Sequence, residues 1–203
     1  MTRILFVRHC QSLDNAAGVL SSVPPGAGLT EHGRTQAKAA AEGLRSRSEP
    51  IAAVYSSTAL RAVETAEAIA EAVGCTTRRD AGLLEFGVGE FEGSADPAAG
   101  PKSAEVLRRW LFEADLEAAL PGGESGRAVV ERFSAWLEHT AADHDGQTIV
   151  AVAHVGTLTL GLVSVCADLS PDDVWGRPLA HGTPVEVTRT PDGWSCGGWP
   201  SSA

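Results

Sequence analysis

The chain has 203 residues, of which 43% are hydrophobic, and carries a formal net charge of -10 from 16 basic and 26 acidic side chains. This length and composition are typical of a single α/β domain with enough apolar side chains for a core. The negative charge disfavours nucleic acid and anionic membrane surfaces as partners, so we expect neither.

The four cysteines are widely spaced and form no C-x-x-C pair or other metal-ligand pattern; they are Cys10, Cys75, Cys166 and Cys196. No apolar run approaches the ~20 residues that cross a bilayer, and the chain starts on a strand pattern without the features of a signal peptide. These observations predict a cytoplasmic protein whose thiols are reduced.

Short aliphatic and β-branched runs predict buried strands at residues 3–7, 51–55, 148–153 and 185–188. Segments of helical period lie between them, at residues 31–44, 61–73, 129–137 and 158–166. Strands that alternate with helices favour an α/β fold, which we predict to be a three-layer α/β/α sandwich around a mostly parallel central sheet.

The stretch from about 90 to 123 has a different composition, rich in Gly, Pro, Ala and Glu. It contains one segment of helical period, at 104–116. We predict a single domain, residues 1–203, in which 90–123 forms a short lid or insertion over one edge.

Basic side chains stand at the ends of three predicted strands. Arg8 and His9 follow the first strand, Arg61 lies in the first turn of the helix after the second, and His154 ends the third. The carboxyl ends of parallel strands meet at one edge of a sheet, where ligands bind. Helix N-termini at that edge add N–H groups that attract anions. The pattern therefore predicts an anion site.

A phosphate monoester dianion suits two arginines and two histidines, because guanidinium groups match its oxygens bidentately. One neutral imidazole can attack phosphorus to form a phosphohistidine while the other cationic groups stabilise the charge in transfer. The departing alkoxide needs a proton. Glu85, between Leu84 and Phe86, has the apolar neighbours that favour a neutral acid. Glu90 and Glu92 are weaker candidates, since glycines flank them in a predicted solvent-facing loop.

With these motifs the chain resembles the histidine phosphatase superfamily, also called the phosphoglycerate mutase-like family (branch 1). The motifs occur in the family's order over residues 3–157, as "VRHCQSLDN", "LTEHGRTQA", "YSSTALRAVETA", "LLEFGVGEFEG", "PGGES" and "AVAHVGT". The resemblance implies the phosphoglycerate mutase-like fold and no metal or other cofactor. It makes His9 the phosphohistidine, with Arg8, Arg61 and His154 completing the phosphate pocket. Glu85 becomes the proton donor and later the base for water.

The resemblance implies further contacts. Asn15 and Ser12 match positions that line the phosphate, and Ser21 and Ser22 match a loop that touches substrate. Val155 stands where the family usually has glycine or another small residue, but its backbone N–H can still point at phosphate.

Cys10 is a second departure, since the family usually has glycine directly after the nucleophilic histidine. Neither Val155 nor Cys10 removes a group that the chemistry needs. They do prevent the family's substrate preferences from being carried over to this chain. Oxidation of Cys10 beside His9 would block the pocket, which allows a redox switch. A packed, inert thiol is the favoured interpretation.

We predict a metal-independent phosphomonoesterase of the histidine acid phosphatase type, acting on a small phosphorylated metabolite. Mutases of the family carry a long cover that excludes water, whereas only 35 residues separate Glu85 from Pro121 here. Phosphoglycerate mutase-type transfer remains an alternative. A second alternative is a non-catalytic module that binds phosphorylated partners. Such a module would need neither a nucleophilic histidine nor an acid, so the presence of both argues against it.

Metal-dependent hydrolysis is disfavoured, since there is no H-E-x-x-H motif and the pair His139 and His144 fits a solvated helix end.

A homodimer through an edge strand is compatible with the sequence. The predicted walls of the substrate pocket are Cys10, Ser21, Ser22, the lid around 102–110, and His181. Lys102, Arg108 and Arg109 fit either a contact with a second acidic group of the substrate or a solvated helix face.

Overall fold

The computed structural model describes residues 1–200, so the last three residues of the predicted domain lie outside the described part. The strands are β1 (Arg3–Arg8), β2 (Ile51–Ser56), β3 (Thr77–Arg79), β4 (Thr148–Ala153), β5 (Pro184–Thr190) and β6 (Gly193–Cys196). They form one sheet in the order β3-β2-β4-β1-β5-β6. The pairs among the first four of that order are parallel and the pairs made by β5 are antiparallel, which confirms the mostly parallel sheet.

The helices are α1 (Leu13–Ala17), α2 (Glu31–Arg45), α3 (Leu60–Val73), α4 (Ala99–Phe112), α5 (Gly126–Asp143), α6 (Val155–Val165) and α7 (Pro171–Val174). Two short 3-10 helices lie at Ala81–Leu83 and Gly89–Phe91. Within residues 1–200, none of the helices combines the length and the apolar character needed to span a membrane.

Helices cover both faces of the sheet. Alternate residues of β1 point to opposite faces, so Leu5 and Val7 belong to the cluster formed with α2 and α3. Ile4 and Phe6 belong to the larger cluster formed with α4, α5 and α6. All six residues of β4 are buried, because this central strand is covered on both sides. The predicted three-layer α/β/α sandwich is confirmed.

Three helices have other bounds than the periodicity predicted. The helix expected at 129–137 extends over Gly126–Asp143. The helix expected at 158–166 begins at Val155, since the extended backbone of His154 serves as its N-cap and the helical turn follows at once. The helix expected at 104–116 occupies Ala99–Phe112. Pro101 fits its first turn, where a missing N–H costs no helical hydrogen bond, and Ala114, with a φ of 53°, lies beyond its end.

The strand ends that carry the basic side chains lie side by side. In the parallel pairing, Arg8 of β1 is opposite Ala153 of β4, and Ser56 of β2 is opposite Val152. The residues that follow β1, β2 and β4 therefore start from the same edge of the sheet. This edge carries the site described next.

Candidate active site

His9 is held by the strand end and by its own neighbour. Its backbone N–H donates to the Ala153 carbonyl (3.0 Å), and its Nδ1 lies 2.8 Å from the Cys10 carbonyl oxygen. A carbonyl only accepts, so Nδ1 carries the proton and Nε2 keeps a lone pair. Burial, reinforced by the charge of Arg61, lowers the pKa of His9 well below its ordinary value. The ring is therefore neutral and chemically suited to act as a nucleophile at Nε2.

Arg61 lies between the two histidine rings. From the first turn of α3, its Nε donates to His9 Nε2 (3.2 Å), and its Nη2 donates to His154 Nδ1 (3.2 Å) and to the Ser21 carbonyl (2.8 Å). The residue is only 3% exposed. Its Nη1 is buried and has no hydrogen-bond partner in residues 1–200. As a residue that lines the cavity described below, Arg61 offers its positive charge to an anion there.

His154 completes this row at the end of β4. Because its Nδ1 accepts from Arg61, its Nε2 carries the proton and donates to Ser57 Oγ (2.7 Å). Ser57 follows β2, is fully buried and also accepts the N–H of Ala59 (3.3 Å). Burial and the neighbouring His9 lower the pKa of His154 well below its ordinary value. Ser57, which the sequence did not single out, thus fixes the tautomer of the second histidine.

Arg8 provides the second guanidinium. Its Nη1 donates to the Leu179 carbonyl (2.8 Å), while its Nε is buried and has no hydrogen-bond partner among the described residues. Burial lowers the pKa of Arg8. Together with Arg61 Nη1, the site therefore contains two buried cationic donors that lack acceptors.

Glu85 sits against the N-terminus of α6. Its Oε1 accepts from the backbone of Phe86 (3.0 Å) and from the backbone (2.9 Å) and hydroxyl (3.2 Å) of Thr157. Its Oε2 accepts from the Gly156 N–H (3.0 Å). The apolar setting expected for Glu85 is wrong, because helix N–H groups, and not its sequence neighbours alone, surround the carboxyl group. Oε2 accepts a single hydrogen bond and so retains a lone pair for a proton.

Gly156 allows this close approach. A Cβ at this position would lie 2.3 Å from the Phe86 ring and 2.8 Å from Glu85 Oε1. Both distances are far shorter than van der Waals contact, so no side chain fits between the acid and the helix. The glycine therefore places Glu85 at the helix terminus.

A cavity of about 310 Å³ opens over this edge of the sheet. His9, Arg8, Arg61 and Glu85 form its polar end. The rest of its lining comes from Asn15, Val19, Leu20, Ser21, Phe86, Val88, Gly100, Ser103, Ala104, Leu107, Val155 and Gly156. Four of these belong to α4, so the segment predicted as a lid does border the cavity.

Three of the residues expected from the resemblance to contact substrate line the cavity. Asn15 Oδ1 accepts the Ser12 N–H (3.2 Å), so the group that Asn15 can offer to a ligand is its Nδ2 amide. Val155 lines the cavity, and its N–H belongs to the first turn of α6, which helical hydrogen bonding leaves free. Ser21 also lines the cavity, and its carbonyl is already bound to Arg61.

Ser12, Ser22 and His154 do not line the cavity, contrary to expectation; His154 instead contacts the site through Arg61. Ser12 is fully buried and its Oγ accepts the Asn15 N–H (3.1 Å) as the N-cap of α1. Ser22 is also buried, and its Oγ donates to Glu92 Oε2 (2.6 Å) and accepts the Val88 N–H (3.1 Å). Both hydroxyls are thus used within the protein.

Glu92 has a structural task that the sequence did not suggest. Its carboxylate accepts the backbone N–H groups of Ser22 (2.8 Å to Oε2) and Val23 (3.2 Å to Oε1) as well as the Ser22 hydroxyl. It therefore fastens residues 21–23, which we call the serine loop. That loop carries the carbonyl bound to Arg61, so Glu92 positions Arg61 indirectly.

Cys10 and His181 are not walls of the cavity either. Cys10 is fully buried against Leu29 and Ala37, and burial raises the pKa of its thiol to about 11. These surroundings favour the packed, inert thiol over a redox switch. His181 lies behind the nucleophile, with Nδ1 2.6 Å from the His9 carbonyl oxygen.

The basic residues of the lid helix point away from the cavity. Arg108 forms ion pairs with Glu105 (2.9 Å) and Glu113 (2.5 Å), and Arg109 pairs with Asp115. Lys102 Nζ lies 5.0 Å from the centroid of the Phe91 ring. Of the two interpretations, the solvated helix face is therefore the one the structure favours.

The fold and this edge of the sheet define an α/β protein with a neutral histidine set between arginines at a cavity. The chain belongs to the histidine phosphatase superfamily (branch 1), whose family model matches residues 4–201. The resemblance inferred from the motifs is thereby confirmed.

Relatives in this superfamily include both phosphatases and mutases. The chain is 33% identical over 154 residues to phosphoserine phosphatase 1 of Hydrogenobacter thermophilus, covering 76% of this chain and 71% of the relative. It is 30% identical over 188 residues to a 2,3-bisphosphoglycerate-dependent phosphoglycerate mutase of Brucella anthropi, covering 90% and 89%. A bifunctional protein of Mycobacterium tuberculosis is 35% identical over 155 residues, covering 76% of this chain but only 41% of that longer protein.

Solved structures show the same architecture. The structure of a mycobacterial glucosyl-3-phosphoglycerate phosphatase complexed with VO3 matches 98% of this chain and 99% of its own, with a TM-score of 0.82 and 25% sequence identity. The expected phosphoglycerate mutase-like fold is therefore confirmed.

Proposed function

We propose that this protein is a metal-independent phosphomonoesterase of the histidine acid phosphatase type. It hydrolyses a small phosphorylated metabolite through a phosphohistidine on His9. The observation that carries the proposal is the unprotonated His9 Nε2, bound by Arg61 at a cavity that Arg8, Arg61 and Glu85 also line. A tetrahedral dianion supplies acceptors for the two guanidinium groups.

In the first step, the phosphate oxygens accept from Arg8 and Arg61, and His9 Nε2 attacks phosphorus. The Nε2–P bond forms as the bond from phosphorus to the alcohol oxygen breaks, and Glu85 gives its proton to that oxygen. The Nδ1–H of His9 keeps its bond to the Cys10 carbonyl, which stabilises the positive charge on the phosphorylated ring. Arg8 and Arg61 stabilise the charge on the oxygens in transfer, and His154, whose Nδ1 accepts from Arg61, positions that guanidinium.

In the second step, water attacks the phosphohistidine. Glu85, now a carboxylate, takes a proton from that water as the new P–O bond forms and the Nε2–P bond breaks. Inorganic phosphate leaves, His9 regains its lone pair and Glu85 is again an acid. The same carboxyl group therefore serves both half-reactions, from one position at the N-terminus of α6.

Phosphoryl transfer of the mutase type is the second candidate, favoured by the relative from Brucella anthropi, which matches most of the chain. Hydrolysis ranks first because the cover over the cavity is short. The 14-residue α4 is the only α-helix in the segment 90–123, all of which the structure describes. A mutase must keep water from the phosphoenzyme, and such a small cover does so poorly.

A trapping experiment tests the nucleophile. The protein is mixed with 32P-labelled p-nitrophenyl phosphate and quenched, and we expect a protein-bound label that is lost in acid and kept in base. His9→Asn should carry no label, whereas His139→Asn, which changes an exposed histidine, should be labelled normally. Label on His9→Asn, or none on the unaltered protein that still turns over substrate, would exclude the mechanism.

Two further measurements separate the alternatives. With 3-phosphoglycerate and a trace of phosphorylated enzyme, hydrolysis yields free phosphate, while 2-phosphoglycerate without free phosphate would identify a mutase. Treatment with EDTA should leave the rate unchanged, and a loss restored by a divalent cation would exclude metal independence. A protein that binds phosphate esters without turnover or label would be the non-catalytic module.

We also propose a cytoplasmic location and a small phosphate monoester as the physiological partner. All four cysteines are free thiols, three of them buried, and this supports a reducing compartment. The net charge of -10 supports a small ligand bound at a local cationic site over nucleic acid or an anionic membrane.

A further inference from the structure

We infer that the site selects phosphate monoesters whose alcohol part is uncharged and mainly apolar, and discriminates against esters that carry a second anionic group. This inference rests on the proposed function. It comes from the part of the cavity that the phosphate chemistry does not use.

Apolar side chains from four parts of the chain form the wall beyond the phosphate end. They are Val19, Leu20, Phe86, Val88, Leu107 and Val155. Phe86 and Val88 are almost fully buried, and Phe86 packs edge to face on Trp110 with ring centroids 5.0 Å apart. Apart from Val19, these side chains belong to the core cluster or pack against it, so most of the wall is firmly held.

The proposed mechanism already uses both basic side chains of the cavity lining. Among the described lining residues, Arg8 and Arg61 are the only arginines or lysines, and the proposed mechanism assigns both to the phosphate. The remaining charged side chain there is the acid Glu85. A second anionic group on the substrate would therefore meet an apolar wall and a carboxyl group, without a cation to replace its water.

The basic residues of α4 do not provide a cation for a second anionic group. Arg108 is held in ion pairs with Glu105 and Glu113, and Lys102 lies over the Phe91 ring, outside the cavity lining. The polar group that α4 does offer is the Ser103 hydroxyl, which is neutral. An uncharged oxygen on the alcohol part suits it, whereas a carboxylate gains only one weak contact there.

A matched pair of substrates tests the inference. n-Butyl phosphate and 4-(phosphonooxy)butanoate have the same chain next to the ester oxygen and differ in a terminal carboxylate. We expect kcat/KM for n-butyl phosphate to be higher by about tenfold or more, the low end of what an unpaired buried polar group costs. Equal values, or a preference for the carboxylate, would overturn the inference.

A charge added to the lid provides the second measurement. Ala104 lines the cavity but is exposed, so a longer side chain is accommodated without disturbing the core. Ala104→Lys should raise kcat/KM for the carboxylated ester about fivefold relative to n-butyl phosphate, as expected for a partly exposed ion pair. Ala104→Met, of similar length and no charge, should leave the ratio as it is. The same gain in both variants would contradict an effect of charge.

Binding separates this inference from the proposed function. The same two chains are prepared as phosphonates, which cannot be hydrolysed, and titrated calorimetrically into the unaltered protein. Tighter binding of the butyl compound together with no turnover of either ester would overturn the proposed hydrolase and keep the selectivity. Turnover of both esters without a difference in binding or kcat/KM would overturn the selectivity and keep the proposed hydrolase.

Discussion

Gly156→Ala is the substitution for which the structure makes the sharpest prediction. The added methyl group would lie 2.3 Å from the Phe86 ring and 2.8 Å from Glu85 Oε1. Phe86 cannot turn aside freely, since it is 5% exposed and packed against Trp110. Either the ring or the N-terminus of α6 must therefore shift, and both movements separate Glu85 from its N–H donors.

The size of the effect follows from these contacts. Overpacking of a buried position costs about 1–3 kcal/mol, so the free energy of unfolding should fall by that amount. Proton transfer by a well-placed acid contributes about 10²–10⁴ in rate, and a displaced Glu85 should forfeit about 10² of it. The loss should appear with n-butyl phosphate, whose alkoxide needs a proton. With p-nitrophenyl phosphate, whose leaving group needs none, kcat should fall less than about tenfold.

Steady-state kinetics with the two esters and urea unfolding measure these quantities. Gly43→Ala is the control, because this glycine is exposed on α2 and a Cβ there meets nothing within 4 Å. It should keep kcat and gain about 0.5–1 kcal/mol of stability, the usual difference between alanine and glycine in a helix. A loss of kcat that is equal for both esters, or no loss at all, would refute the link between Gly156 and the proton donor.

Three further predictions concern residues around the nucleophile. Ser57→Ala leaves the buried N–H of His154 without an acceptor, so stability should fall by about 1–3 kcal/mol and kcat by tenfold or more; unchanged kcat would contradict a positioning role. Glu92→Gln weakens the hydrogen bonds that fasten the serine loop, so KM should rise about three- to tenfold. Glu90→Gln, at an exposed position, should leave KM unchanged. Equal effects of the two substitutions would argue against the role of Glu92 in fastening the loop. The folded state lowers the pKa of His9 and of His154, so around pH 6 it binds fewer protons than the unfolded chain. The free energy of unfolding should therefore be fully present above about pH 6.5 and decrease below it, by up to about 1.4 kcal/mol per pH unit for each histidine. Urea unfolding at several pH values measures the slope, which His154→Asn should reduce; stability that rises on acidification would contradict the assignment.

Much of the architecture was predictable because the strands are short apolar runs and the basic residues directly follow them. Because parallel strands end at one edge of a sheet, the sequence predicts Arg8, His9, Arg61 and His154 in one region. The structure places the rings of His9 and His154 with centroids 5.0 Å apart and puts Arg61 in contact with both.

The partners of individual polar groups were not predictable in this way. The hydrogen-bond partner of a serine hydroxyl depends on the tertiary fold. The Ser22 hydroxyl donates to Glu92, which lies 70 residues away in the sequence. The surroundings of Glu85 were misjudged for the same reason, since its sequence neighbours are apolar but α6 supplies the donors around it. The bounds of α4 also depend on packing that local periodicity does not describe.

The hydrogen bond from Arg61 Nε to His9 Nε2 has a consequence for the proposed mechanism. The lone pair that would attack phosphorus is the acceptor of that bond, so Arg61 Nε must release it before the Nε2–P bond can form. A dianion that competes for the guanidinium would thereby expose the nitrogen. An uncharged electrophile does not compete for the guanidinium, so Nε2 should react with it slowly.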